Sequence, residues 1–157
     1  MSDQFLDRNE PLDSDSDGGS PRPRRLATTL MVAAGGMAGT ALRASLSAAA
    51  PDVLGLPVGI FAINILGAFV LGFLLESLAR RGPDRGLRRG IRLLAGTGLI
   101  GGFTTYSALA VGASTLLTAG NLVGFACYAL ATVVLGAVAS WCGITLSRAT
   151  IHEKRAV

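Results

Sequence analysis

Four apolar stretches occupy most of the chain and constrain its fold more than any other feature. Each is long enough to supply the ~20 residues that a helix needs to cross the hydrocarbon core of a bilayer. We therefore predict an all-α membrane protein with four transmembrane helices. The stretches run from Ala27 to about Ala49, from Pro57 to Ala79, from Ile91 to Thr118 and from Asn121 to Leu146.

Composition favours a membrane protein over a soluble domain. Half of the 157 residues are hydrophobic, 15% are charged and 21 are glycine, and the mean hydropathy is +0.53. Soluble domains of this length carry more charge. The first 25 residues are polar and rich in Asp, Pro and Gly. We predict a disordered cytoplasmic tail at 1–25, followed by one four-span domain at 26–157.

The inventory of reactive side chains argues against catalysis. His152 is the only histidine and falls in the polar C-terminal tail. Cys127 and Cys142 share one apolar stretch and lack metal-ligand spacing, so they are interpreted as small apolar side chains. We predict no enzymatic activity and no nucleic-acid partner, with the lipid bilayer as the surrounding medium.

Positive charge is concentrated on one side of the predicted membrane. With four crossings, both termini and the middle loop share a side, and the two remaining turns contain neither Lys nor Arg. Loops rich in Lys and Arg stay in the cytoplasm, so we predict cytoplasmic termini in a multi-pass protein of the plasma or inner membrane. The cations on the shared side are Arg22, Arg24, Arg25, Arg80, Arg81, Arg85, Arg88, Arg89, Arg92, Arg148, Lys154 and Arg155.

The third apolar stretch disfavours a continuous helix. Its centre, from Gly96 to Leu109, contains adjacent glycines at 101 and 102, followed by Thr104 and Thr105. Glycine and β-branched threonine are poor helix formers. A break at bilayer depth frees backbone groups, which is tolerated where protein buries them or where they line a polar site. The pattern predicts a discontinuous helix whose free carbonyls hold an ion. The alternative is a glycine-rich helix packed tightly on a neighbour.

Polar side chains within the other stretches each allow two interpretations. Arg43 either snorkels to the membrane edge, or caps carbonyls or attracts an anion. Asn64 makes an interhelical hydrogen bond or lines a pore. Thr132 shares a helical stripe with Tyr128 and Gly136, and its hydroxyl bonds its own helix or lines a polar track.

Three motifs occur together in the first three stretches. They are Gly35-Gly-Met-Ala-Gly39-Thr-Ala-Leu-Arg43, Asn64-Ile-Leu-Gly67-Ala-Phe-Val-Leu-Gly72 and Gly96-Thr-Gly-Leu-Ile-Gly101-Gly102-Phe-Thr104-Thr105-Tyr106-Ser107. The third motif is highly specific. With four spans and short loops, the set resembles the CrcB/Fluc family of fluoride channels over roughly residues 26 to 148.

The resemblance implies a fluoride-selective channel subunit that exports cytoplasmic fluoride passively and lowers fluoride toxicity. It implies an antiparallel dimer with two fluoride paths and a structural Na⁺ at the dimer centre. The carbonyls of Gly101 and Thr104 correspond to the sodium ligands. The residues that the resemblance assigns to the fluoride path are Arg43, Asn64, Thr105, Tyr106, Ser107 and Thr132.

Two features depart from the family pattern. The third motif of the family usually has two phenylalanines, whose ring edges face the anion; this chain has Tyr106 and Leu109. Homodimers that insert in both orientations need balanced flanking charge, and this chain is strongly one-sided. The dimer is therefore a homodimer or a heterodimer, and we favour pairing with an oppositely inserted paralogue.

Two rival functions remain. A silent or assembly subunit of a heterodimeric channel would accommodate Leu109. A small four-span multidrug exporter would need a carboxylate deep in a span. The four spans contain only Glu76, close to the basic loop and four residues before Arg80, where we predict an interfacial ion pair.

Overall fold

The computed structural model describes residues 22–50 and 58–153, and every regular element within them is helical. Most of the predicted tail lies outside the described residues. Its last four residues instead begin the first helix, because Pro23 is tolerated in a first helical turn. The elements are α1 (Arg22–Ala49), α2 (Val58–Arg80), α3 (Leu87–Ile91), a π-helix (Arg92–Ile100), α4 (Gly101–Phe103), α5 (Tyr106–Thr118) and α6 (Leu122–Glu153).

Two described helices are long and apolar enough to cross a membrane. They are α2 over Val58–Arg80 and α6 over Leu122–Ile151. Helix α1 is 28 residues long but less apolar than α2, because Thr, Ser, Gly and Arg interrupt its hydrophobic surface. The third predicted span is divided into short helices. The described residues are thus all-helical, with two candidate membrane spans.

The interruption predicted in the third stretch is present. Helix α4 ends at Phe103, and the next two residues are extended, with φ −81° and ψ 155° at Thr104 and φ −150° and ψ 128° at Thr105. Helix α5 then begins at Tyr106. The alternative of a continuous glycine-rich helix is therefore wrong.

A nine-residue π-helix precedes the break and was not predicted. The Gly101 N–H donates to the Gly96 carbonyl, five residues back, and also to Gly98. This widening puts one extra residue into a helical turn, a local distortion that is frequent at functional sites. The third span is therefore irregular before it is interrupted.

Glycines bring α1 against the first half of the third span. A Cβ at Gly39 would lie 2.8 Å from the Phe103 nitrogen, and a Cβ at Gly98 would lie 2.7 Å from the Val32 oxygen. Real Cβ atoms do not approach so closely, so both positions need glycine. Small residues four apart permit such backbone contact between membrane helices. Gly35 and Gly39 follow that spacing.

Helices α2 and α6 form the second tightly packed pair. A Cβ at Gly143 would lie 2.9 Å from the Phe73 nitrogen. The buried hydroxyls of Ser77 and Ser147 share a 2.7 Å hydrogen bond. Near the end of α2, Glu76 accepts from Arg80 Nε at 2.6 Å and from Arg148 Nε at 2.9 Å. The predicted pair is confirmed, and Arg148 extends it to α6.

Candidate functional site

An open groove of about 500 Å³ lies beside the interruption, between α2, α5 and α6. It brings together residues from three apolar stretches that are far apart in sequence. Six of the residues predicted for the pore or the metal line it directly. The lining residues are Asn64, Gly67, Ala68, Leu71, Gly101, Thr104, Thr105, Tyr106, Leu109, Thr132, Val133 and Gly136.

Asn64 holds the interruption in place. Its Nδ2 donates to the Thr105 carbonyl at 3.0 Å, and its Oδ1 accepts from the Thr105 N–H at 2.9 Å. One side-chain amide thus bonds both the N–H and the carbonyl of Thr105. Buried backbone groups need such partners in an apolar medium. The interhelical hydrogen bond predicted for Asn64 is therefore confirmed. The residue also lines the groove, and its role in a pore stays a prediction.

The clamp on Thr105 releases the Gly101 carbonyl. In a continuous α-helix this carbonyl would accept from the N–H four residues later, but the Thr105 N–H goes to Asn64. Gly101 is exposed and lines the groove. A main-chain oxygen without its helical partner therefore lies at the groove edge, as the sequence predicted.

The neighbouring Gly102 carbonyl is capped from α1. Arg43 Nε donates to it at 3.3 Å and Thr40 Oγ1 at 3.4 Å. Arg43 does not line the groove. Of the roles considered for Arg43, the structure shows carbonyl capping. Its assignment to the fluoride path therefore has no support from the geometry of the isolated chain.

Thr104 is seated against α2. Its N–H and its Oγ1 both donate to the Ile100 carbonyl at 3.0 Å, which closes the end of α4. Its Cγ2 contacts the position where Gly67 would carry a Cβ. Gly67 therefore makes room for the extended residue. The Asn64-x-x-Gly67 spacing in α2 provides a donor and a gap on one helix face.

Tyr106 and Ser107 occupy the start of α5. The Tyr106 side chain is 80% exposed. Ser107 Oγ lies 2.9 Å from Thr105 Oγ1, and either atom can be the donor. Ser107 is exposed but does not line the groove itself. Its connection to the groove is therefore indirect, through the hydroxyl of Thr105.

Thr132 forms part of the wall contributed by α6. It is buried, and its Oγ1 donates to the Tyr128 carbonyl at 2.9 Å. Thr132 thus lines the groove, while its hydroxyl bonds its own helix. In this rotamer it presents acceptor lone pairs, and it must rotate to donate to an anion.

Tyr128 was not among the predicted site residues. Its ring lies 6.2 Å from that of Phe61, between centroids. Its buried hydroxyl has no hydrogen-bond partner among the described residues. The sequence signal was the Tyr128–Thr132 spacing, which places both residues on one stripe of α6.

The remaining lining residues are small or aliphatic. Leu109 lies in the groove, at the position where the resemblance predicts an aromatic ring. Gly67, Ala68 and Gly136 keep the groove wide, and sequence reasoning missed their lining role because it depends on how α2 crosses α6. Glu76 does not line the groove. The buried carboxylate that a proton-coupled exporter needs is therefore absent from the groove.

An interrupted helix in an apolar chain, beside a groove that carries polar side chains, is typical of integral membrane proteins with an ion or solute path. The sequence profile described as "CrcB-like protein, Camphor Resistance (CrcB)" matches residues 30–144. The chain belongs to this family.

Several relatives are similar over most of their length. A protein of Leifsonia xyli subsp. xyli named "Fluoride-specific ion channel FluC 2" is 58% identical over 120 residues, covering 76% of this chain and 83% of that protein. "Fluoride-specific ion channel FluC 1" of Cutibacterium acnes is 44% identical over 132 residues, covering 83% and 92%. "Fluoride-specific ion channel FluC" of Novosphingobium aromaticivorans is 35% identical over 127 residues, covering 78% and 98%.

Proposed function

We propose that this chain is a subunit of a fluoride-selective channel that lets fluoride leave the cytoplasm passively. The observation that carries the proposal is the Asn64 clamp at the break, which places polar side chains in a groove between apolar helices. Family membership and the names of the relatives support fluoride as the ion. Passive conduction requires no catalytic group.

Fluoride is small and strongly hydrated, so a selective path must replace its water with close donors. Asn64 uses one amide N–H for the Thr105 carbonyl, and an NH₂ group has a second one to offer. Hydroxyls of Thr105, Ser107 and Thr132 can rotate toward an anion. The Tyr106 ring adds an electropositive edge and a hydroxyl.

A structural sodium ion fits the carbonyls at the break. Hard cations prefer oxygen ligands, and the Gly101 oxygen has lost its helical partner. Gly101 and Thr104 would hold the ion through their carbonyls. A bound sodium ion would supply positive charge that offsets the burial of an anion.

The groove requires a second chain to become a pore. It is open on one side, and Gly101 and Tyr106 are exposed in the isolated chain. We infer an antiparallel dimer of four-helix subunits that encloses the path between chains. The one-sided flanking charge favours an oppositely inserted paralogue as the partner, with both termini of this chain in the cytoplasm.

A silent subunit of such a heterodimer is the second candidate function. Leu109 favours it, because an aliphatic side chain in the groove offers no polar edge to an anion. In that case this chain would hold the assembly, and the partner would furnish the conducting path.

Bacteria that lack their own fluoride exporter provide the test. Cells with this chain and the paralogous subunit should grow at fluoride concentrations that arrest the parent strain. The chain with an Asn64→Ala change should lose this protection, and a Thr118→Val change, at an exposed hydroxyl bonded within α5, should keep it. Protection that persists with Asn64→Ala would assign this chain the silent role. Absence of protection in every combination would contradict the proposed channel.

A further inference from the structure

A second concave site, which shares no lining residue with the groove, lies where α2 ends and the basic loop begins. It has a volume of about 440 Å³. Its apolar wall comes from the last turns of α2, at Leu75, Leu78 and Ala79. Its polar wall comes from the loop and α3, at Asp84, Arg88 and Arg92, with Gly82 at the turn.

The two walls meet at the boundary between the hydrocarbon region of the membrane and the hydrophilic loop. Helix α2 is apolar enough to cross a membrane, so Leu75 and Leu78 lie at the edge of the hydrocarbon region. Leu75 is 41% exposed, and its surface is therefore open to a ligand. The loop beyond Arg80 is hydrophilic. A ligand that fills this site must be apolar at one end and polar at the other.

The positive charge of the polar wall favours a ligand whose polar end is negatively charged. Residues 76–92 contain six arginines and two acidic residues. Arg88 and Arg92 lie four residues apart, which places them on one side of a helical turn. Arg92 Nη2 pairs with Asp84 Oδ2 at 2.8 Å, and this pair leaves the charge of Arg88 uncompensated within the lining.

Arg88 is also fixed in position. Its Nη1 donates to the Arg81 carbonyl across the turn, and a Cβ at Gly82 would lie 2.8 Å from that nitrogen. Gly82 has φ +121°, a conformation that favours glycine. A guanidinium has five N–H donors, so several remain for a phosphate after one is used.

We propose that this site binds the phosphate headgroup of an anionic phospholipid, with an acyl chain against Leu75 and Ala79. A free phosphate could accept hydrogen bonds from Arg88, but it has no apolar part to contact the apolar wall. Basic pockets at the membrane edge attract anionic headgroups, and each arginine near the surface contributes about fivefold in affinity. The site is separate from the fluoride path and does not depend on it.

Native mass spectrometry of the full chain in detergent tests the proposal. The protein is incubated with equal amounts of phosphatidylglycerol and phosphatidylcholine of the same acyl composition. Retention of phosphatidylglycerol should be several-fold higher. Equal retention of the two lipids would overturn the proposal. Displacement of the lipid by soluble glycerol phosphate at similar concentration would also overturn it, because the apolar wall would then contribute nothing.

Three single variants locate the site. Arg88→Gln should lower phosphatidylglycerol retention about fivefold. Arg85→Gln removes the same charge from the same loop at a residue outside the pocket lining, and it should have a smaller effect. Asp84→Asn removes the opposing carboxylate and should raise retention, a gain that misfolding cannot produce. Equal losses in the two arginine variants would show diffuse charge attraction and overturn the proposal. No gain with Asp84→Asn would show that this carboxylate does not face the headgroup, and it would overturn the proposal as well.

Discussion

At the scale of single residues, the interruption depends on one side chain. Asn64 supplies both a donor and an acceptor to Thr105, and the two residues are 41 positions apart in sequence. The sequence predicted that Asn64 needs polar partners, because an amide in an apolar helix must be satisfied. It could not identify Thr105, since that contact depends on how two helices cross. The same reason hid the roles of Gly67 and Gly136 in the groove.

Replacing Asn64 by alanine should destabilise the break. Both backbone groups of Thr105 would lose their partner, at a cost of about 1–3 kcal/mol for each buried group. We expect a lower unfolding temperature in detergent and at least a tenfold loss of fluoride efflux. Thr118→Val is the control, because that hydroxyl bonds only within α5. Equal effects of the two changes would contradict the clamp.

At Leu109, by contrast, we predict a substitution that raises fluoride efflux. Leu109→Phe would introduce a ring edge into the groove and should raise fluoride efflux several-fold in the assembled channel. Leu117→Phe is the matched control, because Leu117 lies in the same helix, is 49% exposed and does not line the groove. If neither change alters efflux, the path runs through the partner and this chain is the silent subunit.

At the scale of elements, the third span shows what its sequence could and could not predict. Adjacent glycines followed by threonines predicted the break, and the break lies at Thr104 and Thr105. The π-helix before it was not predictable, because it differs from an α-helix by one residue per turn and has no composition of its own. Helix α1 was predicted, but its start at Arg22 was not.

Close packing of α1 on the third span can be tested with matched glycines. A Cβ at Gly39 would lie 2.8 Å from the Phe103 nitrogen, whereas a Cβ at Gly136 would meet no atom within 4 Å. Gly39→Ala should lower the free energy of unfolding by about 1–3 kcal/mol, the usual cost of overpacking. Gly136→Ala should leave it unchanged or raise it slightly, because alanine is the better helix former. Chemical unfolding in detergent measures both; equal stability of the two variants would contradict this packing.

At the scale of the whole molecule, the exposed surface beside the break is where the proposed second chain would bind. Gly101 is exposed in the isolated chain, and a Cβ there would meet no atom within 4 Å. If a partner and a sodium ion cover this position, Gly101→Ala should reduce the dimeric fraction at least fivefold without lowering the stability of the protomer. Gly96→Ala is the control, because its Cβ would make ordinary contacts of 3.7–3.8 Å inside the chain.

Gel filtration with light scattering measures the dimeric fraction. A dimer that survives Gly101→Ala unchanged would contradict a subunit contact at the break. Loss of the dimer when sodium is replaced by a large organic cation would support the ion as part of that contact. A dimer that is unaffected by this replacement would contradict a sodium ion at the contact.

The central claim is that the groove at the interrupted helix conducts fluoride. The most direct test is efflux from liposomes that contain this chain together with the proposed paralogous partner, recorded with a fluoride-selective electrode. The account predicts rapid release of fluoride, no matching release of chloride, and at least a tenfold loss of fluoride release with Asn64→Ala. Equal release of fluoride and chloride, or no release of fluoride from vesicles that contain both subunits, would contradict it.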